Sequence, residues 1–264
     1  KDCRGGYPMI KLISVFRRVP NMSLEECQSY WRDTHGQLIK KHAADLRVHR
    51  YVQVHTIDDP LNEILRAGRG EIEPFDGMAQ VWWRDRDDLE AALTSPEGQR
   101  AAAEILEDER NFVDYSDSAL WLANEHVFIE RTPGVVAAVD SPVVKMSFVF
   151  RRLPSMSRQE CQSYWRDVHG QMVLRQAADF PLRRYLQSHT LEDPISDRFR
   201  EERGAAEPYD GVAEMWGVLD ELAEAAATPE GQKAADEFLQ DERRFIDSTR
   251  SSIWLAKEHV VIDG

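Results

Sequence analysis

The sequence predicts an α+β fold: two tandem ferredoxin-like βαββαβ units that close on each other as an internal pseudo-dimeric α+β barrel. Three observations lead there. First, the chain repeats itself: FRRVPNMSLEECQSYWRDTHGQLI (residues 16–39) matches FRRLPSMSRQECQSYWRDVHGQMV (150–173) at 17 of 24 positions. The offset of 134 also pairs Tyr51 with Tyr185, Gln53 with Gln187, His55 with His189 and Trp82 with Trp216. One residue is then lost, and SPEGQ (95–99) meets TPEGQ (228–232) at an offset of 133. Second, within each copy short β-branched and aromatic runs alternate with stretches of helical period. Third, one βαββαβ sheet covers a single face with its helices, so its other apolar face needs a second copy to bury it.

The elements follow in order. Residues 11–16 and 144–150 are short, apolar and β-rich, and read as the first strand of each unit. Ser23 and Ser157 each precede a glutamate by three positions (Glu26, Glu160), a capping box that opens the first helix. Residues 49–56 and 184–190 alternate in character and form the second strand, and 78–83 and 212–216 the third. Ser95-Pro96 and Thr228-Pro229 place a cap residue before a proline at the first helical position. The helix that follows carries Ile105, Leu106, Phe112 and Val113, or Phe238, Leu239, Phe245 and Ile246. Residues 118–129 and 252–262 form the last strand. The units are therefore 9–130 and 143–264, joined by a linker, 131–142, that holds Pro133, Gly134 and Pro142. The connections 60–74 and 194–208 are long for so compact a unit. Each is expected to be a lid over a pocket mouth or a cover for a sheet edge.

Charge removes several partners. The net charge is −14, and the arginines sit interleaved with acids rather than in a basic stripe. That argues against nucleic acid and against an anionic membrane surface. No apolar run approaches the roughly 20 residues that a membrane-spanning helix needs. With no signal-like start, a soluble cytoplasmic protein is the expectation. The three cysteines, Cys3, Cys27 and Cys161, are expected to be reduced thiols, with no metal site of their own.

The repeated FRRxPxMSxxECQSYWRDxHGQ, followed by RYVQVHT in the first unit and RYLQSHT in the second, resembles the EthD domain family. The Tyr-Trp-(x)₃-His-Gly segment is its most specific part. The resemblance implies a dimeric α+β barrel. It also implies a hydrophobic or aromatic ligand held between sheet and helices, as in relatives that include cofactor-independent isomerases, cyclases, decarboxylases, dehydratases and small monooxygenases. A shared fold does not name the reaction, so the reaction must be argued from the site.

His35 lies four residues beyond Trp31 and three before Leu38, on the apolar face of the first helix; His169 repeats the position. It is either a core histidine satisfied by a neighbouring group or a general acid/base on a pocket wall. The second strand puts Tyr51, Gln53 and His55 on one face, and Tyr185, Gln187 and His189 on its equivalent. Such a set suits a pocket that orients an apolar ligand; the alternative places both histidines half-exposed at the strand end. On the third strand Gln80 is replaced by Glu214, between Val212 and Trp216. If buried beside His169 or Tyr185, Glu214 would have a raised pKa suited to proton transfer. The alternative is an exposed position. Of the paired tryptophans, Trp165 and Trp216 are candidates for lining an aromatic pocket, and core is the alternative. His35 and His42 share a helix face, but Gln176 replaces His42 in the second copy, so no metal site is expected.

No phosphate-binding loop, dinucleotide-binding glycine motif or nucleophile elbow is present, so no cofactor is expected. The expected function is a cofactor-independent lyase or isomerase acting on a small aromatic or polyketide-like compound, by decarboxylation, dehydration or cyclisation through general acid/base proton transfer. His169, Glu214, Tyr185 and His35 are its candidate catalytic residues. Gln187, His189, Tyr51, Gln53, His55, Trp165 and Trp216 are its candidate substrate contacts. The pockets are expected to be unequal, the second being the more reactive because Gln80 cannot titrate. The alternatives are a cofactorless monooxygenase and a non-catalytic binder of a hydrophobic metabolite, and the duplicated barrel could itself pair as a homodimer.

Overall fold

A computed structural model of the chain describes residues 9–177 and 180–264; Cys3 lies outside them. Eight strands form one closed barrel in the order β1-β3-β2-β8-β5-β7-β6-β4, every neighbouring pair antiparallel. They are β1 (Ile10–Arg18), β2 (Arg50–Thr56), β3 (Gly77–Trp83), β4 (Val113–Glu130), β5 (Val143–Phe150), β6 (Arg184–Thr190), β7 (Gly211–Val218) and β8 (Ser252–Ile262). β2 pairs with β8 and β4 with β6, so each unit closes the other's sheet and no edge is left open. Equivalent strands stand four places apart in an alternating barrel and run parallel, so the pseudo-twofold axis lies along the barrel. The predicted α+β barrel of two tandem units is the observed fold.

Each unit has more helices than the βαββαβ plan requires. Its first helix is α1 (Leu24–Tyr30), a π-helical turn (Trp31–His35) and α2 (Gly36–His42) in continuous succession; α6 (Arg158–Tyr164), the turn Trp165–His169 and α7 (Gly170–Gln176) repeat it. Both capping boxes form, at Ser23/Glu26 and Ser157/Glu160. The long connections hold α3 (Pro60–Arg69) and α8 (Pro194–Arg203), begun by Asp59 and Asp193 caps and ended by left-handed Gly70 and Gly204 (φ 72° and 65°). Before α5 (Pro96–Glu109) and α10 (Pro229–Glu242) come two further helices, α4 (Arg86–Thr94) and α9 (Leu219–Ala227). Asp85 caps α4, whereas α9 starts at Val218 without a side-chain cap.

The barrel interior holds an apolar layer around Ile13, Val54, Met78, Trp121, Val149 and Trp254. Beside it lies a buried ionic cluster. Lys11 Nζ is 2.7 Å from Glu214 and 2.8 Å from Glu125, while Lys145 Nζ is 2.6 Å from Glu214 and 3.0 Å from Glu258. Gln80 Nε2 donates to Glu214 at 2.6 Å, and Ser188 Oγ at 3.0 Å. Trp216 also faces this interior, where its Nε1 donates to Glu258 at 2.8 Å. The linker closes the same end: buried Ala137 exchanges backbone and side-chain hydrogen bonds with Glu258 and packs on Trp216.

Candidate functional site

The outer face of the barrel, beneath the helices, carries the histidines. The π-helical turn adds one residue to the first helix, which returns His35 and His169 to the sheet side. His169 is buried, its Nδ1 2.9 Å from Asp241 Oδ2, and the Tyr164 hydroxyl donates to Asp241 Oδ1 at 2.6 Å. The first unit repeats this with His35–Asp108 at 2.7 Å and Tyr30–Asp108 at 2.6 Å. Burial opposes ionisation of Asp241, but its bonds from His169 and Tyr164 outweigh that and keep it below the usual carboxylate range. For Asp108 the bond from His35 is the main cause of the same downward shift. An ionised aspartate fixes the proton on Nδ1, which leaves Nε2 as the basic nitrogen.

Along β2 and β6 the predicted face forms a hydrogen-bonded row. His189 Nε2 meets Gln187 Oε1 at 2.9 Å, and Gln187 Nε2 donates to Tyr185 Oη at 2.9 Å and to Trp165 O at 3.1 Å. The first unit matches it through His55, Gln53, Tyr51 and Trp31, with the Trp31 indole donating to Tyr51 Oη at 2.9 Å. The phenol oxygen of Tyr185 is thus an acceptor inside the protein, and among the described residues no acceptor takes its own proton. Burial raises the pKa of both tyrosines, so each phenol stays protonated and can donate. His55 and His189 stack on Trp31 and Trp165 with centroids 4.6 Å apart. Burial, with the neighbouring His259 or His126, lowers the pKa of each to about 3. Gly77 and Gly211 permit the tryptophan packing, since a Cβ there would lie 2.6 or 2.5 Å from an indole ring.

A cavity lies between sheet and helices in each unit, about 130 Å³ in the first and about 340 Å³ in the second. Trp83 and Tyr115 fill space in the first where the second has Gly217 and Ser248. The helices differ too: α4 buries Leu89 and Ala92, whereas α9 buries no residue and lays Leu219, Leu222, Ala223 and Ala226 along the second cavity. His169, Tyr185 and Trp165 line the larger cavity, as His35, Tyr51 and Trp31 line the smaller. Each cavity is completed by the other unit. Leu61, Leu65 and Arg69 of α3 enter the second, and Phe199 and Arg203 of α8 enter the first. The long connections are therefore helices that cross to the neighbouring unit's pocket.

The structure separates residues that the sequence reading had grouped. Glu214 points into the barrel, on the opposite side of the sheet from His169 and Tyr185. Burial alone would raise its pKa; Lys11 and Lys145 outweigh that and hold it well below the usual carboxylate range. Its expected pairing with the pocket histidine is therefore corrected, and so is the raised pKa. Trp216 lies in the barrel as well and does not line the cavity. Gln53, His55, Gln187 and His189 are behind the cavity walls and support the tyrosines rather than facing the space. The sequence reading missed Asp108 and Asp241, although LEDER (106–110) and LQDER (239–243) repeat them at the 133 offset. It also missed Arg69 and Glu242, which line the second cavity 3.2 Å apart.

A family model, the EthD domain, matches residues 19–116 and again 153–249. The chain belongs to the EthD domain family. A search of curated proteins finds no significant match. Among solved structures, the EthD chain resembles an anthrone oxidase-like protein at 12% identity and a TM-score of 0.53, covering 96% of this chain and 93% of that one. It resembles a candidate monooxygenase from Lactobacillus acidophilus NCFM at 9% identity and a TM-score of 0.50, with 98% of both chains covered. At such identities the likeness is one of fold. Among the described residues, no helix of this EthD protein is long and apolar enough to cross a membrane.

Proposed function

We propose that the second-unit cavity is the active site of a cofactor-independent lyase or isomerase that moves a proton on a small aromatic or polyketide-like compound. One observation carries this reading. His169, its Nδ1 held by Asp241, lines an apolar cavity of about 340 Å³ together with the protonated Tyr185 hydroxyl. That volume lies within the ~300–1,000 Å³ of ordinary small-molecule sites. His169 Nε2 takes a proton from carbon beside a carbonyl, and Asp241 stabilises the imidazolium. Tyr185 donates to the enolate oxygen, where charge develops. The imidazolium then returns its proton: to another carbon of the enolate, completing an isomerisation; to the alkoxide left when the enolate carbon adds to a second carbonyl of the same molecule, completing a cyclisation; or to a departing hydroxyl, completing a dehydration. Gln187 and His189 position Tyr185. His35 has the same partners beside a smaller cavity, about 130 Å³, and its role is structural. Glu214 has no part in the chemistry.

A cofactorless monooxygenase shares the first step, because the carbanion is what would meet dioxygen; the fold neighbours described as a candidate monooxygenase and as anthrone oxidase-like stand on this side. A carrier would bind and do neither. Incubation with 2-tetralone in D₂O separates the three, with proton NMR following exchange at the carbons beside the carbonyl and an oxygen electrode running alongside. The proposal expects exchange above the buffer rate with no oxygen uptake. Oxygen uptake favours the second reading, and binding without exchange favours the third.

A further inference from the structure

Both cavities carry one arginine and one glutamate on their walls, and in each case the two are paired across the units. Arg69 Nε lies 3.2 Å from Glu242 in the second cavity, and Arg203 Nη2 lies 2.9 Å from Glu109 in the first. Among the described residues no other Lys, Arg, Asp or Glu lines either space. A cation already matched by an anion offers little net attraction to a further charge, and burying a carboxylate without a counter-ion of its own is costly.

Arg69 has a second carboxyl beside it. Glu71 lies 3.6 Å from Arg69 Nε, its side chain is fully buried, and among the described residues neither of its oxygens has a hydrogen-bond partner. The equivalent position in the other unit is Ala205. Burial pushes Glu71 up to about 8, opposed by Arg69 and reinforced by Glu242. Arg69 therefore has two carboxyl groups beside it, Glu242 at 3.2 Å and Glu71 at 3.6 Å. An incoming carboxylate would be the third acid group at a single guanidinium.

We infer that the second-unit cavity selects an uncharged ligand, such as an aromatic ketone or phenol, and rejects the carboxylate of the same skeleton, because Glu242 is already paired with Arg69 and Glu71 lies beside it. This deepens the proposed function and rests on it. It also narrows the reaction: decarboxylation needs a carboxylate substrate and drops out, while isomerisation, dehydration and cyclisation remain.

The test is calorimetric titration of the full chain at pH 7 with two nearly isosteric probes, 2-acetylnaphthalene and 2-naphthoate. The ketone is expected to bind at least about tenfold more tightly. In Glu71→Gln/Glu242→Gln, which frees Arg69, naphthoate affinity is expected to rise about tenfold relative to that for the ketone. Equal or tighter binding of naphthoate by the unaltered protein overturns the inference and leaves the cavity reading intact. Binding of neither probe overturns both. An unchanged naphthoate affinity relative to that for the ketone in the folded double variant overturns the role given to Arg69, and the unaltered protein's preference between the probes decides the charge selection whether or not that variant folds.

Discussion

Gln80 Nε2 donates to Glu214 Oε1 at 2.6 Å inside the barrel, joining equivalent positions of the two units across the pseudo-twofold axis. A symmetric pair of glutamates at this distance would set two carboxylates against each other. An amide opposite a carboxylate supplies a donor instead, and a covalent duplication allows the two positions to differ. Glu214 also accepts from Lys11 and Lys145, so it organises a buried cluster. Glu214→Ala is expected to destabilise the fold by about 3–5 kcal/mol, because it leaves buried ammonium groups short of a partner. Urea unfolding measures this. A change below about 1 kcal/mol would contradict the structural role given to this residue.

The Gln80/Glu214 difference was visible in sequence, yet its meaning was not. Period-2 alternation says which residues share a face, but in a closed barrel covered by helices both faces are buried. Trp216 therefore read as a pocket wall when it belongs to the interior, and alternation alone could not say which face Tyr51 and Tyr185 share with the helices. The repeat, the strands and the capping boxes at Ser23 and Ser157 were legible because they rest on local pattern. The π-helical turns were not, since the bond from Gly36 N–H to Trp31 O, five residues back, leaves no mark on the residue pattern. Asp241 could have been found, because its pentapeptide repeats as the histidine segment does.

Glu71 makes stability depend on pH in a defined direction. Its folded pKa, about 8, is above its ordinary value of 4.5. Between those values the folded chain keeps a proton that the unfolded chain releases, so its contribution to stability falls as pH rises through the window. Glu71→Gln has no such loss. The Tm difference, variant minus unaltered protein, should grow from pH 5 to pH 8 in thermal melts. A constant difference would mean that Glu71 ionises normally.

The unequal helices predict unequal motion. α9 buries no residue and lacks a side-chain cap, whereas α4 is capped by Asp85 and buries Leu89 and Ala92. Amide hydrogens of α9 should exchange faster than those of α4, and 2-acetylnaphthalene should slow α9 selectively. Mass spectrometry after deuterium labelling reads both. Equal protection of the two helices would contradict the looser hold on α9.

Asp241 acts through His169. Asp241→Asn should lower the exchange rate on 2-tetralone while leaving ligand affinity within about threefold, because the amide no longer fixes the Nδ1–H tautomer. A loss of affinity with an unchanged rate at saturation would identify Asp241 as a packing residue instead.

The central claim is that two histidines with the same sequence context and the same aspartate partner differ in role because only one borders a cavity large enough for a ligand. Deuterium exchange into 2-tetralone, compared between His169→Asn and His35→Asn under conditions where both remain folded, tests it directly. His169→Asn is expected to lose about 10²–10⁴-fold in rate, and His35→Asn to stay within about twofold of the unaltered protein. Equal losses in the two variants, or none in either, would contradict the assignment of chemistry to the second unit.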